Sequence, residues 1–142
     1  MNSEMKYNRY FRVIIENILF EIYNIEHTTF KLNNKWVKIA DGVLLVYNTE
    51  YRFSFDRLKE YNETIHFIKE SFVFPMVLVA CVPQNALRKV SRKEGYQAAK
   101  QFGVPYKEFG IENGKEVCKV FQRMVKEIRI FKGEEQKKCK VM

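Results

Sequence analysis

The sequence predicts an α/β fold with a doubly wound, mostly parallel sheet. Two apolar runs, VLLVY at 43–47 and MVLVACV at 76–82, show no alternation of polar and apolar residues, which is typical of strands covered on both faces. Apolar residues also recur at helical spacing between Phe55 and Ile68 and between Val117 and Phe131. Strands that alternate with such helices indicate a parallel sheet with helices on both faces.

Turn and capping residues place the boundaries of these elements. RVII and ILFEIY flank a polar break at 16–17, which indicates a hairpin at the edge of the sheet. Ser54 is predicted to cap one helix, while Ser91 and Glu94 form a capping box for another that ends at Gly103. We expect strands near 11–16, 18–24, 42–48, 76–82 and 104–109, and helices near 54–71, 91–102 and 114–132.

Length and composition indicate one globular domain. The chain has 142 residues, of which 46% are hydrophobic, enough for a core. No apolar run reaches the roughly 20 residues that span a bilayer, and the N-terminus lacks the apolar region of a signal peptide. Cys81, Cys118 and Cys139 are odd in number and unpatterned, which argues against a disulfide framework and a zinc site. We expect a cytoplasmic protein with reduced thiols.

The charge of the chain does not by itself identify a partner. A net charge of +8 suits nucleic acid or an anionic membrane, but the basic residues are scattered among acidic ones. KYNRYFR has the composition to stack on bases, yet it fits an edge strand better, so we predict no nucleic-acid partner. His27 and His66 lie far apart without a suitably spaced carboxylate or thiolate, so we predict no metal site or catalytic dyad.

Several segments resemble a Ras-type small GTPase in order and spacing: DGVLLVYNTEYRFSFDRLKEYNETIHFIKES, PMVLVACV, QFGVPYKEF, VFQRMVKEIRIFK and the terminal CKVM. The similarity is almost gap-free over 41–131, looser over 11–40 and absent before that. It implies a divergent, N-terminally truncated relative with a P-loop NTPase-like (Ras-like) fold that lacks its first strand, phosphate loop and first helix. It also implies a single degenerate Ras-like G domain over 1–131, followed by a C-terminal tail over 132–142.

The absent strand has a structural consequence. In the implied architecture it lies between the strands at 18–24 and 42–48. Its absence leaves two strand edges with unpaired amide and carbonyl groups, unless the edges meet or something fills the gap. We expect either outcome to lower the stability of the fold.

The nucleotide-binding motifs that the resemblance implies are all replaced. The 142 residues contain no glycine-rich phosphate loop, and the segment that senses the terminal phosphate aligns with 24–28, which reads NIEHT. Gln84 occupies the position where an Asp carboxylate would accept hydrogen bonds from the guanine edge. The last base-binding motif aligns with 110–112, which reads GIE. We therefore expect no catalytic, cofactor-binding or metal-binding residue. We expect GTP or GDP and Mg²⁺ only if a longer product restores the missing N-terminal segment.

The last four residues, CKVM, fit the C-a-a-X prenylation box, with Cys139 as the site of lipid attachment. Met142 favours a farnesyl group, whereas Lys140 occupies a slot that is usually aliphatic. Glu134 and Glu135 offset the basic residues of the tail, so its attraction to an anionic leaflet is weak. We expect reversible attachment to the cytoplasmic face of a membrane, with the plasma membrane favoured.

These features favour a Ras-like pseudo-GTPase: a membrane-tethered signalling or binding module for protein effectors or regulators, with no enzymatic activity. Two alternatives stay open. A longer product could supply the phosphate loop and act as a GTP-binding small GTPase, or the chain is the product of a decaying gene copy without function.

Overall fold

The chain folds as two units, residues 1–40 and 41–142, in the computed structural model. The structure describes residues 8–15, 18–25, 34–84 and 87–134. The prediction of a single domain over 1–131 with a tail over 132–142 stays a prediction.

The first unit contains the predicted hairpin, but the prediction that it forms an edge of the parallel sheet is wrong, because its two strands make a two-stranded sheet of their own. Strands β1 (Asn8–Ile15) and β2 (Ile18–Ile25) are antiparallel, and Ile15 pairs with Ile18, which leaves two residues between the strands. A short helix, α1 (Asn34–Ile39), follows and was not predicted. Six residues are too few to show a helical period in the sequence, because the pattern needs two or three turns to repeat.

The second unit is built on a parallel sheet, which confirms the predicted α/β class. Strands β3 (Val43–Asn48), β4 (Met76–Val82) and β5 (Tyr106–Gly110) lie in the order β3-β4-β5. The central strand β4 is buried from Met76 to Ala80, as its unbroken apolar run predicts. Within this unit β3 is an edge strand, and Val46 is 51% exposed. The expectation that both apolar strands are covered on both faces is therefore wrong for β3.

Helices cover the two faces of this sheet. On one face, α5 (Gly114–Phe131) packs Val120 and Met124 against Val77 and Val79 of β4, which confirms the predicted apolar stripe. On the other face, α4 (Arg92–Phe102) brings Gly95 against Tyr47 and Tyr106. The two sets of residues lie on opposite faces because successive side chains of a strand alternate in direction. Helices on both faces confirm the doubly wound arrangement.

The helix predicted at 54–71 is instead two helices. These are α2 (Arg52–Asp56) and α3 (Leu58–Lys69), with Arg57 between them and Glu70 in the left-handed conformation (φ 53°) after them. The prediction that Ser54 caps the helix is wrong, because the N-cap residue is Tyr51. The Ser54 hydroxyl accepts from Asn48 N at 3.0 Å and contacts Asn48 O at 3.2 Å. Ser54 therefore satisfies backbone groups at the end of the edge strand β3.

The boundaries of α4 follow the predicted capping chemistry. Ser91 and Glu94 form both hydrogen bonds of the capping box, and Gly103 ends the helix at φ 71°. The last strand starts at Tyr106 and not at Val104, because the backbone of Val104 still bonds to Ala99 O at the end of α4.

Candidate ligand cleft at the carboxyl end of the sheet

An open cleft of about 1030 Å³ lies where the parallel strands β4 and β5 end. In open α/β sheets this is the edge where ligands bind, since the loops after parallel strands converge there. One wall consists of the residues after β4, and the other of the residues after β5 and the first turns of α5. The lining residues are Val82, Pro83, Gln84, Gly110, Ile111, Glu112, Asn113, Gly114, Lys115, Cys118, Lys119 and Gln122.

Gln84 and Glu112 join the two walls of the cleft. In the amide orientation that satisfies both groups, the Gln84 side-chain nitrogen donates to Glu112 Oε1 at 2.8 Å and to Oε2 at 2.7 Å. A neutral donor thus occupies both oxygens of the carboxylate that projects into this region. Gln84 therefore competes with any ligand that needs this carboxylate as its acceptor.

The N-terminus of α5 forms the rest of the wall. Asn113 caps the helix, with its Oδ1 accepting from Glu116 N at 3.2 Å. Lys115 and Lys119 lie one turn apart along the cleft. The cleft is therefore lined by two lysines, a carboxylate bonded to Gln84, neutral polar groups and the apolar side chains of Val82 and Pro83.

A second polar cluster lies on the α4 face of the sheet. The Tyr47 and Tyr106 hydroxyls are 2.9 Å apart, and Tyr106 donates to Glu108 Oε2 at 2.5 Å. Arg88 forms a two-point ion pair with Glu108 and donates from Nε to Val90 O at 2.7 Å. Ala80 of β4 lies in register between Tyr47 and Glu108. Its small side chain leaves room for side chains of β3 and β5 to meet across the central strand.

This cluster shifts the protonation of its members. Burial raises the pKa of Tyr47, and burial together with the hydrogen bond to Glu108 raises the pKa of Tyr106. Burial opposes ionisation of Glu108, but the hydrogen bonds from Arg88 and Tyr106 outweigh it and hold the pKa of Glu108 below its usual value. Both tyrosines thus stay neutral donors at physiological pH while Glu108 is a carboxylate.

We expect acid to destabilise the parent chain more than a Glu108→Gln variant. A lowered folded pKa means that the stabilisation by Glu108 is complete above its unfolded pKa, about 4.3, and is lost as pH falls through the folded value. At neutral pH the variant should lose about 2 kcal/mol of unfolding free energy, because Arg88 loses its charged acceptor. Urea unfolding of the parent and the variant, at neutral pH and at about pH 3, measures these free energies.

The exposed Glu63 offers a matched control. Glu63→Gln should have the same free energy of unfolding as the parent at both pH values, because it removes a carboxylate that lies outside the cluster. The role of the Glu108 charge would be contradicted if the difference in unfolding free energy between the parent and Glu108→Gln were as large in acid as at neutral pH.

The thiols and metal-ligating groups form no further site in the part of the chain that the structure describes. There, no group of three or more His, Cys, Asp and Glu side chains could hold a metal ion. Cys81 and Cys118 are free, and burial raises the pKa of the Cys81 thiol, which makes it a poorer nucleophile. The predicted lipid-attachment residue, Cys139, lies outside the described residues.

The structure brings together some of the residues that the sequence singled out. Gln84 meets the 110–112 segment in one cleft, although the two correspond to separate motifs in the sequence. The cluster around Glu108 was not predicted, although the spacing of Tyr106 and Glu108 in YKEF places both on one face of a strand. Nothing in the sequence pairs them with Arg88 or Tyr47.

A three-stranded parallel sheet between helices, with a cleft at the carboxyl ends of its strands, is consistent with a P-loop NTPase-like α/β fold. A family model of the Ras family matches residues 21–130. The chain therefore belongs to the Ras family of small GTPase-type proteins, whose members generally bind effectors and regulators. The match runs from β2 into the last turn of α5 and so includes the cleft.

No helix in the described ranges is long and apolar enough to cross a membrane.

Proposed function

We propose that this protein is a Ras-like pseudo-GTPase, a binding module that neither takes up guanine nucleotide at low micromolar concentration nor hydrolyses GTP. It acts through protein effectors or regulators that recognise its surface. A farnesyl group on Cys139 holds it reversibly at the cytoplasmic face of a membrane, the plasma membrane in the first instance.

The contact between Gln84 and Glu112 is the observation that supports this proposal most. In the Ras-type proteins that the sequence resembles, an Asp carboxylate accepts two hydrogen bonds from the guanine edge at the position of Gln84. Here the side chain at that position is neutral and is bonded to Glu112. Charge-assisted hydrogen bonds are about twice as strong as neutral ones, so the substitution removes the stronger interaction.

The remaining contacts of a guanine nucleotide also lack partners in these 142 residues. The phosphate loop has no counterpart in the sequence, and the segment at 24–28 has neither the Asp nor the Gly of the resembled motif. The residues present therefore do not fit GTP, GDP or a phosphate-bound Mg²⁺. Low micromolar affinity requires about −8 kcal/mol, and no described group supplies the phosphate part of it.

Isothermal titration of the purified protein with GTP or GDP, with and without Mg²⁺, tests the proposal. We expect no saturable heat in the low micromolar range. Gln84→Asp should not restore binding, because the phosphate cradle contributes a larger share than the base clamp, and Gln122→Asp is the matched control within the same cleft. A saturable, magnesium-dependent site in the parent chain would overturn the proposal and favour the alternative of a nucleotide-binding GTPase.

A further inference from the structure

Four large apolar side chains are exposed at the amino end of the parallel sheet. Phe72 is 97% exposed and Phe67 is 83% exposed, and Val73 and Phe131 are also exposed. We refer to Phe67, Phe72, Val73 and Phe131 as the aromatic tip. They lie in the last turn of α3, in the connection to β4 and at the end of α5.

The connection that carries Phe72 has a fixed conformation. The His66 ring nitrogen Nδ1 lies 2.8 Å from Ser71 O, and the Ser71 hydroxyl donates to Val73 O at 2.8 Å and accepts from Val73 N at 3.1 Å. Two residues after Phe72, the Phe74 ring packs edge-on against Phe131 with centroids 6.3 Å apart. These contacts fix the backbone on both sides of Phe72 while its side chain stays exposed, so little backbone entropy is lost when a partner covers it.

The C-terminal tail leaves the protein at the same end. Phe131 contacts the Phe74 ring, and Glu134 N donates to Arg129 O at 2.9 Å, which keeps Glu134 at the end of α5. Cys139 follows Glu134 by five positions. Five extended residues reach at most about 17 Å, so a lipid on Cys139 keeps this end of the protein within that distance of the bilayer.

We propose that the aromatic tip inserts into the boundary between the head groups and acyl chains of the membrane that holds the lipidated tail. This inference rests on the proposed lipidation of Cys139. The charged groups beside the tip are mixed: Lys132 pairs with Asp41 at 3.2 Å, while Glu70 and Glu134 are exposed acids. The tip therefore binds through apolar area, as interfacial segments do, and depends little on anionic lipid.

Tryptophan fluorescence tests the insertion directly. Phe72→Trp is made in a Trp36→Phe background, and Tyr51→Trp in the same background, at an exposed position after the carboxyl end of β3, is the matched control. Both farnesylated proteins are mixed with phosphatidylcholine vesicles that contain brominated acyl chains. We expect a blue shift and quenching at position 72 and neither change at position 51.

Vesicle affinity gives a second measurement. Replacing Phe72 and Val73 together by serine should weaken binding of the farnesylated chain about tenfold, which corresponds to about 1.4 kcal/mol. Tyr51→Ser should leave the affinity unchanged, because this side chain is also exposed but lies at the other end of the sheet.

A further experiment tests insertion of the aromatic tip without lipidation of Cys139. A full-length chain with a C-terminal hexahistidine extension is held on nickel-chelating vesicles, which places its C-terminus at the bilayer without a prenyl group. Quenching of the Phe72→Trp variant on these vesicles supports the tip even if Cys139 is never farnesylated in cells. Vesicle-bound Phe72→Trp protein whose fluorescence is unquenched, or tip variants that lose only binding to a protein or to a second copy of the chain, would overturn the inference.

Discussion

Replacing Gly95 with alanine is expected to lower the free energy of unfolding by about 2 kcal/mol, although alanine normally stabilises a helix by about 1 kcal/mol over glycine. A Cβ at this position of α4 would lie 2.5 Å from the Tyr106 hydroxyl oxygen and closer still to that of Tyr47. Tyr47 is only 1% exposed, and both hydroxyls are hydrogen-bonded, so neither ring can move without breaking the cluster around Glu108. Chemical denaturation measures the loss.

Gly114→Ala is the matched control, since a Cβ there meets no atom within 4 Å. We expect it to change the unfolding free energy by less than about 1 kcal/mol and to favour the folded state. Adding Tyr47→Phe to Gly95→Ala should recover part of the loss, because it removes the oxygen nearest to the new methyl group. A Gly95→Ala protein as stable as the parent would show that α4 does not pack against the tyrosine pair as described.

Cys139→Ser is expected to abolish membrane attachment in eukaryotic cells. If Cys139 is farnesylated, the mature chain gains the mass of one prenyl group and loses the last three residues. Each buried methylene contributes about 0.8 kcal/mol, so the lipid supplies most of the binding and the tail charges supply little. Membrane fractionation measures the attachment, and intact-mass measurement detects the prenyl group and the loss of the last three residues.

Cys118→Ser serves as the control because Cys118 is an exposed free thiol outside any prenylation motif. It should leave attachment unchanged. Raising salt should release only a minor fraction of the parent, and lysines in place of Glu134 and Glu135 should tighten attachment, since they add positive charge near the leaflet. An unmodified C-terminal Met142 in the intact mass would contradict the proposed anchor, and the protein would then be a Ras-family binding module without a lipid.

The candidate cleft could be predicted in part. The sequence located its two loops through the resemblance to Ras-type proteins, whose two base-binding motifs fall at Gln84 and at 110–112. It did not predict that Gln84 and Glu112 bond to each other, because no local sequence pattern links two residues so far apart in the chain. Their side chains belong to loops after different strands, and only the sheet order places those loops side by side.

Elements whose signals are local could be predicted from the amino-acid sequence alone. The capping box at Ser91 and Glu94, the stop at Gly103 and the apolar stripe of α5 involve residues within a few turns of each other, so their spacing identifies them. The burial of β4 could also be predicted from its sequence, because a strand covered on both faces needs apolar residues at every position.

The contacts between groups that are distant in the sequence depend on how the chain folds. Tyr47 and Tyr106 are 59 positions apart and come together because Ala80 leaves space between them and Gly95 lets α4 approach. Ser54 fits the pattern of a helix cap, yet its hydroxyl satisfies the edge strand, because Asn48 N lies within hydrogen-bond distance after the chain turns. A hydroxyl, a ring or a carboxylate has the same bonding capacity wherever it lies in the sequence, and the fold alone selects its partner.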